Sequence, residues 1–315
     1  MKPSIAPVPS VRFSERPACP LCGSHDRSVH RAFRDLPVVR CTSCGFLYSS
    51  RIMADEGLYA YYRDSFGGKR HLQGQTVNAR TNAVALKSLL TLSAVRTWLD
   101  VGTGYGILLQ WLRRKYKIEA EGVELSQQEA QYAQQLGLPV RCALLSESGL
   151  PRDHYDVVSS FEVIEHTPDP IAFLTDMAQY VRPGGQLVVM TDNFESPPAI
   201  KLRGSFPKWI PHTHISHFTP SSLQRCIDAV PGLKLEQGAA YTPWDLLARE
   251  WLSPFKRPLP DDQAYDMHAV LSTEMTREYR LYRVRHLLNP VWARLHLRKT
   301  LGHGALMYSV CRRRP

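Results

Sequence analysis

The motif Asp100-Val-Gly-Thr-Gly-Tyr-Gly106 follows an apolar segment and precedes a run with helical spacing, an order that indicates a strand, a tight turn and a helix. Glycines at alternate positions, Gly102, Gly104 and Gly106, let the backbone turn sharply and approach a ligand closely. Glu124 ends the next expected strand, 18 residues beyond Gly106, where it would meet the hydroxyls of a ribose. Because the spacing is not G-x-G-x-x-G, it favours a nucleoside cofactor without phosphates over a dinucleotide.

Strand-like and helix-like segments alternate on both sides of this turn. The expected elements are strands at 95–101, 118–124, 140–143, 155–160, 186–191, 233–241 and 305–311, and helices at 76–93, 107–116, 126–136 and 170–181. Such alternation predicts an α/β fold with a doubly wound, Rossmann-like, seven-stranded sheet. In this fold class ligands collect at the carboxyl ends of the parallel strands.

Two C-x2-C pairs lie near the start of the chain, separated by 18 residues: Cys19 with Cys22, and Cys41 with Cys44. This spacing predicts a four-thiolate zinc site. Disulfides are disfavoured in a reducing cytosol, and a redox pair would need only one such motif. Because four protein ligands leave no open position, the zinc is expected to be structural.

Four motifs in order resemble those of the class I methyltransferases that use S-adenosylmethionine. They are Leu99-Asp-Val-Gly-Thr-Gly-Tyr-Gly106, Gly122-Val-Glu-Leu-Ser126, Tyr155-Asp-Val-Val-Ser-Ser-Phe-Glu-Val-Ile-Glu-His166 and Val181-Arg-Pro-Gly-Gly-Gln-Leu-Val188. The resemblance covers about residues 75–241 and implies methyl transfer from S-adenosylmethionine. A zinc ribbon ahead of such a core, with His214-Ile-Ser-His-Phe-Thr-Pro220 behind it, looks like the branch that acts on small molecules and sugars in natural-product and cell-envelope pathways.

The resemblance also implies which residues hold the cofactor. The positions carried over are Asp100, Gly102, Gly104, Gly106, Glu124, Phe161 and Glu162. The glycines would cradle the methionine part, Glu124 would bind the ribose, and Phe161 and Glu162 would edge the pocket near the transferring methyl. The family often places an acidic residue against the adenine amine, a role left here to Glu147 or to a backbone group.

Histidines near the pocket are the candidate bases. Methyl transfer needs the acceptor to be aligned and water to be excluded, and a hydroxyl or carbon acceptor usually needs a base as well. His166, His214 and His217 are the candidates, and the alternative for each is an ordinary core or surface histidine. His212, His214 and His217 also invite a metal-site interpretation, although the spacing indicates no carboxylate partner.

The predicted division is a zinc ribbon over 1–52, a helical connector over 53–94, and a methyltransferase core over 95–315 with a helical insertion at about 243–302. A hydrophobic share of 43% in 315 residues is enough to fill a sizeable core. Cys142, Cys226 and Cys311 are expected to be small core residues. No apolar run is long enough for a signal or a membrane span, so a cytoplasmic location is expected.

Positive charge is concentrated at the two ends of the chain. Residues 1–70 hold 11 Lys/Arg against 6 Asp/Glu, residues 71–244 hold 15 against 16, and residues 245–315 hold 13 against 7, which sum to +10. Basic flanks can face nucleic acid, anionic lipid or an acidic metabolite. Charge alone does not choose among these partners.

The segment 280–301 carries six Lys/Arg and no Asp/Glu, with apolar residues at helical spacing. The apolar residues are Leu281, Val284, Leu288, Trp292 and Leu295, and Pro290 is expected to kink or break the helix. Such a segment could make peripheral contact with an anionic membrane, pack on the core, or wall the acceptor pocket.

The function that the sequence favours is a small-molecule methyltransferase, O-directed, of a natural-product or cell-envelope saccharide pathway. An RNA base methyltransferase that uses the ribbon and the basic flanks is the alternative enzyme. Against it, the ribbon has few aromatic residues interleaved with Lys/Arg for stacking on bases beyond Phe46 and Tyr48, and the core is neutral. A non-catalytic binding subunit is a third interpretation, and the intact glycines and Glu124 argue against it.

Overall fold

A computed structural model describes residues 12–33, 36–65, 67–253 and 282–315 of the chain. Its strands are β1 Phe13–Glu15, β2 Arg27–Arg31, β3 Val38–Cys41, β4 Leu47–Ser49, β5 Arg51–Met53, β6 Thr97–Val101, β7 Glu119–Glu124, β8 Val140–Cys142, β9 Tyr155–Phe161, β10 Val181–Asp192, β11 Ser216–His217, β12 Leu233–Tyr241 and β13 Leu306–Arg313. Its α-helices are α1 Asp55–Ala60, α2 Lys69–Leu89, α3 Ile107–Tyr116, α4 Gln127–Gln135, α5 Pro170–Tyr180, α6 Pro197–Leu202, α7 Pro220–Asp228, α8 Trp244–Leu252 and α9 Tyr282–His296. A π-helical turn, Tyr61–Ser65, and short 3₁₀ turns complete the described elements, and one of these turns is Ile164–His166.

The central sheet has seven strands in the order β12-β13-β10-β9-β6-β7-β8. Strands β10, β9, β6, β7 and β8 are parallel, and β13 runs antiparallel between β10 and β12. The predicted Rossmann-like seven-stranded sheet is therefore confirmed. Because the chain leaves β6 toward β7 and later returns to β9 on the other side, the strand order reverses between β6 and β9, which is where ligands bind in such sheets.

Both faces of the sheet are buried, which is why its central strands are continuously apolar. Alternate residues of β6 enter different cores: Leu99 packs with α5 and α7, and Trp98 packs with α2, α3 and α4. The first of these hydrophobic cores also includes Phe46 and Tyr48 of the N-terminal ribbon. The ribbon is thus packed against one face of the seven-stranded domain and shares its apolar interior.

Helix boundaries follow the capping residues. Ser126 caps α4 by accepting a hydrogen bond from the amide of Glu129, and the Glu129 side chain bonds to Gln75. Thr219 and Ser222 form a complete capping box before α7. The connector helix α2 begins seven residues before the predicted start at 76. The prediction missed these first turns because they are polar and carry no apolar period.

The N-terminal sheet has the order β11-β4-β3-β2, so its edge strand comes from residues 216–217 of the core. The buried guanidinium of Arg16 donates to the carbonyl of Ile215 at 2.9 Å and to that of Pro168 at 2.6 Å. The division at residue 52 stays a proposal, and the structure adds that ribbon and core are joined by a shared sheet.

The predicted insertion is described in part. Residues 1–11 and 254–281, including Arg280 and Leu281, lie outside the described residues. Pro290 lies inside α9 and does not break it, so of the two predicted effects only a kink stays a prediction. Within the described part of the chain, each helix is too short or too polar to cross a bilayer.

Candidate active site

A cavity of about 840 Å³ opens at the carboxyl ends of β6, β7, β9 and β10. Its lining includes Asp100, Gly102, Glu124, Phe161 and Glu162, so the structure brings these five predicted cofactor residues together. The volume is in the range of small-molecule and cofactor sites. The cavity also extends past β10 to the segment before β11, where an acceptor would lie next to the cofactor.

The glycine turn after β6 requires residues without a side chain. Gly102 has φ +73°, and a Cβ there would lie 2.5 Å from the Val163 side chain. Gly104 has φ +57°, and its amide donates to Glu124 Oε2 at 2.7 Å. Both conformations are strained for any other residue. Gly106 stands outside the cavity lining, at the start of α3, where it packs near Leu138.

Glu124 is fixed by the turn that it faces. Its Oε1 accepts a hydrogen bond from the amide of Ser126 at 2.8 Å, and its Oε2 accepts the bond from Gly104. Burial raises the pKa of Glu124, whereas these backbone donors favour its charged form. Burial and the charge of Glu124 raise the pKa of neighbouring Glu129 to about 8. Glu124 and Glu129 both line the cavity, and Glu124 is the one whose two oxygens are held by backbone amides.

Asp100 ties the turn to the next strand. Its Oδ1 accepts a hydrogen bond from the Ser159 hydroxyl at 2.5 Å, and Ser159 Oγ accepts one from Trp98 Nε1 at 2.8 Å. Burial raises the pKa of Asp100 to about 7. The carboxyl holds the base of the turn in place while lining the floor of the cavity.

Gln75 of α2 covers the glycine turn, a contact that no motif in the sequence indicates. Its Oε1 accepts a hydrogen bond from the amide of Tyr105 at 2.9 Å, and its Nε2 donates to Glu129 Oε2 at 2.9 Å. A glutamine 30 residues before its partner follows no local period, so only the folded chain reveals this contact.

A charged cluster lines the other end of the cavity. Lys208 Nζ lies 2.7 Å from Glu162 Oε1 and 3.1 Å from Asp192 Oδ1, and Asn78 donates to Glu162 Oε2 at 2.5 Å. Burial alone would raise the pKa of Glu162, but the charge of Lys208 holds it below its usual value. In turn, Asp192 and Glu162 raise the pKa of Lys208 well above its usual value despite burial. Lys208 is therefore an internal cation that favours the charged forms of Glu162 and Asp192, although burial raises the pKa of Asp192 to about 6.

His166 and His214 both line this end of the cavity, with ring centroids 4.7 Å apart. His166 Nδ1 lies 2.8 Å from the carbonyl oxygen of Thr213, and since a carbonyl only accepts, Nδ1 carries the proton and Nε2 holds a lone pair. The Tyr62 hydroxyl lies 2.8 Å from the same Nδ1. His214 Nδ1 lies 3.6 Å from Asp192 Oδ2.

Both imidazoles are neutral at neutral pH. Burial lowers the pKa of His166 to about 4. Burial, followed by repulsion from His166 and Lys208, lowers the pKa of His214 well below 6.5. A neutral imidazole has a free lone pair, so either ring can accept a proton.

The structure does not bring His217 to the cavity. It belongs to β11, is completely buried, and lies between Phe194 and Trp209 with ring centroids 4.6 and 4.9 Å away. It packs next to the N-terminal sheet and is not part of the cavity lining, so the catalytic role predicted for His217 finds no support in its position.

The histidines do not form the imagined His212, His214 and His217 metal set. The ligand atoms that lie within 4.8 Å of one another belong to Glu165, His166 and His214. Glu165 is the carboxylate that the sequence spacing did not indicate; it is next to His166 in the chain, but it reaches His214 only through the fold. These three groups lie close enough together to hold a divalent cation. Removal of a proton from an acceptor would need only the lone pairs of the two imidazoles.

The structure favours a backbone group for adenine recognition. Ala143, Leu144, Leu145 and Ser146 line the cavity, whereas Glu147 is exposed and lies outside the lining.

Of the three cysteines expected in the core, Cys226 and Cys311 are buried. Cys142, at the end of an edge strand, is exposed, contrary to prediction.

The four N-terminal thiols converge on one point. Their sulfur atoms lie within 4.8 Å of one another, with Cys19 Sγ 3.6 Å from Cys44 Sγ and Cys22 Sγ 3.6 Å from Cys41 Sγ. Each pair is followed by a glycine in the left-handed region, at φ +74° and +79°. Four sulfurs at this spacing fit a tetrahedral zinc ion.

Residues 73–237 match the family described as "Methyltransferase domain". The chain is 29% identical over 171 residues to the ubiquinone biosynthesis O-methyltransferase of Leptothrix cholodnii, covering 49% of this chain and 71% of that protein. It is 31% identical over 182 residues to the protein of that name from Rhodopseudomonas palustris strain BisB5, covering 53% and 70%. For the protein of that name from Parvibaculum lavamentivorans, identity is 35% over 101 residues, which span 30% of this chain and 40% of that relative.

Solved structures with a similar course of the chain include two with TM-scores of 0.48. One is a possible histamine N-methyltransferase from Thermotoga maritima, with 17% identity and coverage of 78% of this chain and 92% of that one. The other is the plantazolicin methyltransferase BamL in complex with SAH, with 12% identity and coverage of 78% and 98%.

Proposed function

Since the chain belongs to the methyltransferase domain family and is an S-adenosylmethionine-dependent methyltransferase, we propose that its acceptor group is a hydroxyl of a small molecule. One observation carries the proposal. Two neutral imidazoles, His166 and His214, line the cavity beside the carboxylate of Asp192. An amine acceptor needs only to be neutral, whereas a hydroxyl needs a group that takes its proton.

The residues present fit the cofactor. The bare backbone at Gly102 leaves room that a side chain would fill, and Glu124 offers a buried, oriented carboxylate to ribose hydroxyls. When bound, S-adenosylmethionine supplies the methyl group on a sulfonium. Glu162 and Phe161 border the cavity between this end and the histidines.

His214 is the proposed base, and Asp192 is its positioning residue. With Nδ1 directed at Asp192, the lone pair of Nε2 is free to take the proton of an acceptor hydroxyl. The resulting imidazolium would be stabilised by the carboxylate 3.6 Å away, as the aspartate does in a catalytic triad. Lys208, whose Nζ lies 3.1 Å from Asp192 Oδ1, favours the charged form of that carboxylate.

His166 is the second proposed base. Its Nε2 lone pair is fixed by the hydrogen bond from Nδ1 to Thr213. Tyr62, which lies 2.8 Å from Nδ1, positions the ring from the connector between ribbon and core. Together the connector and the segment before β11 orient both imidazoles and cover the acceptor from water.

The acceptor class follows from two lines of support. The sequence favours a saccharide of a natural-product or cell-envelope pathway, and the relatives named ubiquinone biosynthesis O-methyltransferases support an O-directed reaction. The cavity is lined by Tyr59, Tyr61, Tyr62, Phe161 and Phe173. Aromatic walls suit a flat ring or the apolar face of a sugar.

RNA is the less favoured acceptor. Among the Phe and Tyr residues of the ribbon, Phe33, Phe46 and Tyr48 are buried, whereas Phe13 is partly exposed. Phe46 and Tyr48 belong to the core shared with the methyltransferase domain. Base stacking needs an exposed ring face. The small-molecule proposal therefore stands ahead of the RNA alternative.

The experiment is a transfer assay with a labelled methyl donor and four acceptor panels: hydroxylated saccharides, catechol-type phenols, primary amines and total RNA. We expect label in a saccharide or a phenol, and an O-methyl signal in the NMR spectrum of the product. Transfer confined to amines or RNA would contradict the proposal.

We also propose that the four N-terminal cysteines bind one structural zinc ion. In Cys22→Ser the zinc content measured by mass spectrometry should fall from about one per chain to near zero, because a three-thiolate site binds much more weakly. The unfolding temperature should fall too, since ribbon and core share a sheet. Cys142→Ser, at an exposed cysteine away from the site, is the matched control. Full zinc content in Cys22→Ser would refute the assignment.

A further inference from the structure

The helix α9 leaves one apolar face uncovered. The exposed fractions along this face are 41% for Val284, 64% for Leu287, 48% for Leu288, 53% for Val291 and 71% for Leu295. At about 100° per residue these five side chains lie within roughly a third of the helix circumference. Single exposed apolar residues are ordinary, but a continuous stripe of five marks an interaction surface.

The buried face of α9 is a different one. The helix contacts α2, and its buried residues are Asn289, Pro290 and Ala293. A helix that simply packed its apolar stripe on the core would bury Val284, Leu288 and Leu295, and the structure shows these three exposed. The stripe is therefore left for a partner outside the core.

Positive charge borders the stripe. Residues 282–315 contain eight Lys/Arg and no Asp/Glu. Arg283 and Arg294 are exposed along the edge of the same face, and Arg298 and Lys299 are exposed just beyond the end of α9. A surface of aliphatic side chains edged by cations differs from a surface for single-stranded nucleic acid, where exposed aromatic rings stack on the bases.

The neighbouring helices add to this charge. Lys87 of α2 lies near Lys115 of α3 and near Arg294 of α9. Partial burial is the largest cause that lowers the pKa of Lys87, and the charges of these two neighbours lower it further. Cations from three helices thus repel one another on this side of the molecule. Such a cluster favours an anionic partner.

We propose that α9 docks the protein on an anionic lipid bilayer. The aliphatic stripe would enter the boundary between headgroups and acyl chains, and Arg283, Arg294, Arg298 and Lys299 would pair with lipid phosphates. The charge complementarity commits the surface to an anionic bilayer, because a zwitterionic one would leave this cation cluster without net attraction.

Docking would also place the bilayer beside the cavity. The inner side of α9 contributes Arg285 and Asn289 to the cavity lining, and α8 contributes Asp245, Leu246 and Arg249. One helix would then separate the bilayer from the acceptor end of the site. Delivery of an amphiphilic acceptor through this route rests on the proposed function, whereas docking itself does not.

Vesicle co-sedimentation of the full chain tests the proposal. We expect the protein to sediment with phosphatidylcholine vesicles that contain phosphatidylglycerol, and to stay in solution with phosphatidylcholine alone. The double variant Leu287→Gln/Leu288→Gln should lower the partition coefficient at least about tenfold, because two exposed leucines no longer enter the bilayer. Arg294→Glu/Lys299→Glu should lower it as well, by loss of attraction to the headgroups.

Matched controls lie at exposed positions of other elements. Leu136→Gln, after α4, and Arg40→Glu, in β3, should sediment like the parent. Calorimetry with S-adenosylmethionine on each variant verifies that the core is folded, independently of any acceptor. The proposal is overturned if the parent ignores phosphatidylglycerol vesicles, binds both vesicle types equally, or loses no binding in the leucine double variant. A stripe that instead holds two copies of the chain together, seen as a dimer that the double variant dissociates without vesicle binding, would overturn it too.

Discussion

His214→Gln is expected to lower kcat by about two to three orders of magnitude while leaving the affinity for S-adenosylmethionine unchanged, because general-base catalysis contributes on that scale. Glutamine keeps a polar side chain of similar size but cannot take a proton. Single-turnover rates, together with calorimetry of cofactor binding, separate the two effects. The measurement is informative because His214 is buried at the acceptor end of the cavity, away from Glu124 and Gly102.

His154→Gln is the matched control, since this histidine is exposed and outside the cavity lining. It should turn over like the parent. The pH profile adds a second readout. Because the pKa of His214 lies well below 6.5, the ring stays neutral as the pH falls to 6.5, so protonation of this base should not reduce kcat over that range. An unchanged kcat in His214→Gln would remove His214 as the base and shift the role to His166.

Gly104→Arg is expected to lower the affinity for S-adenosylmethionine at least about a hundredfold, equivalent to about 2.7 kcal/mol, as measured by calorimetry. At φ +57° any side chain is strained, and a Cβ would lie 2.1 Å from Gln75 Oε1. The Gly104 amide is also the donor that fixes Glu124, so displacing the turn disturbs the carboxylate that faces the ribose.

Gly302→Arg supplies the comparison. A Cβ at Gly302 meets open space, so this variant adds the same side chain without strain at the cavity. We expect it to bind the cofactor like the parent, and thermal melts of both variants would detect any loss of folding. Binding by Gly104→Arg equal to that of Gly302→Arg would show that the turn does not hold the cofactor.

The ribbon and the candidate active site are joined by more contacts than the sequence implied. The order of the N-terminal sheet places β11 against β4, and Arg16 bonds to Ile215 and Pro168. These contacts hold the segment that carries His214. The ribbon is therefore expected to position the acceptor histidine, and loss of zinc should affect turnover more than cofactor binding.

Local pattern was enough to predict the scaffold. The helix Ile107–Tyr116 begins and ends where its spacing predicted, and the strands around the glycine turn lie within two residues of their predicted bounds. Glu124 reached the turn because an acidic residue at the end of the second parallel strand must lie at the same sheet edge. Periods of two and 3.6, turn glycines and paired cysteines are all properties of neighbouring residues, so the chain itself displays them.

The assembled site is another matter, because its groups come from distant parts of the chain. Asn78, Glu162, Asp192 and Lys208 follow no period, and only the fold places them within hydrogen-bonding or ion-pair distance of one another. His214 and His217 looked equivalent in the sequence, but β11 pairs with the ribbon and takes His217 away from the cavity.

The two faces of α9 show the same limit. Helical periodicity reports the aliphatic stripe without saying which side meets the core, and the buried face carries Asn289, Pro290 and Ala293 instead. The sheet, the glycine turn with its carboxylate, and the thiolate pairs all follow from patterns of neighbouring residues. The sequence alone does not specify which histidines line the cavity or which stripe of α9 faces outward, because both depend on packing between segments that are far apart in the chain.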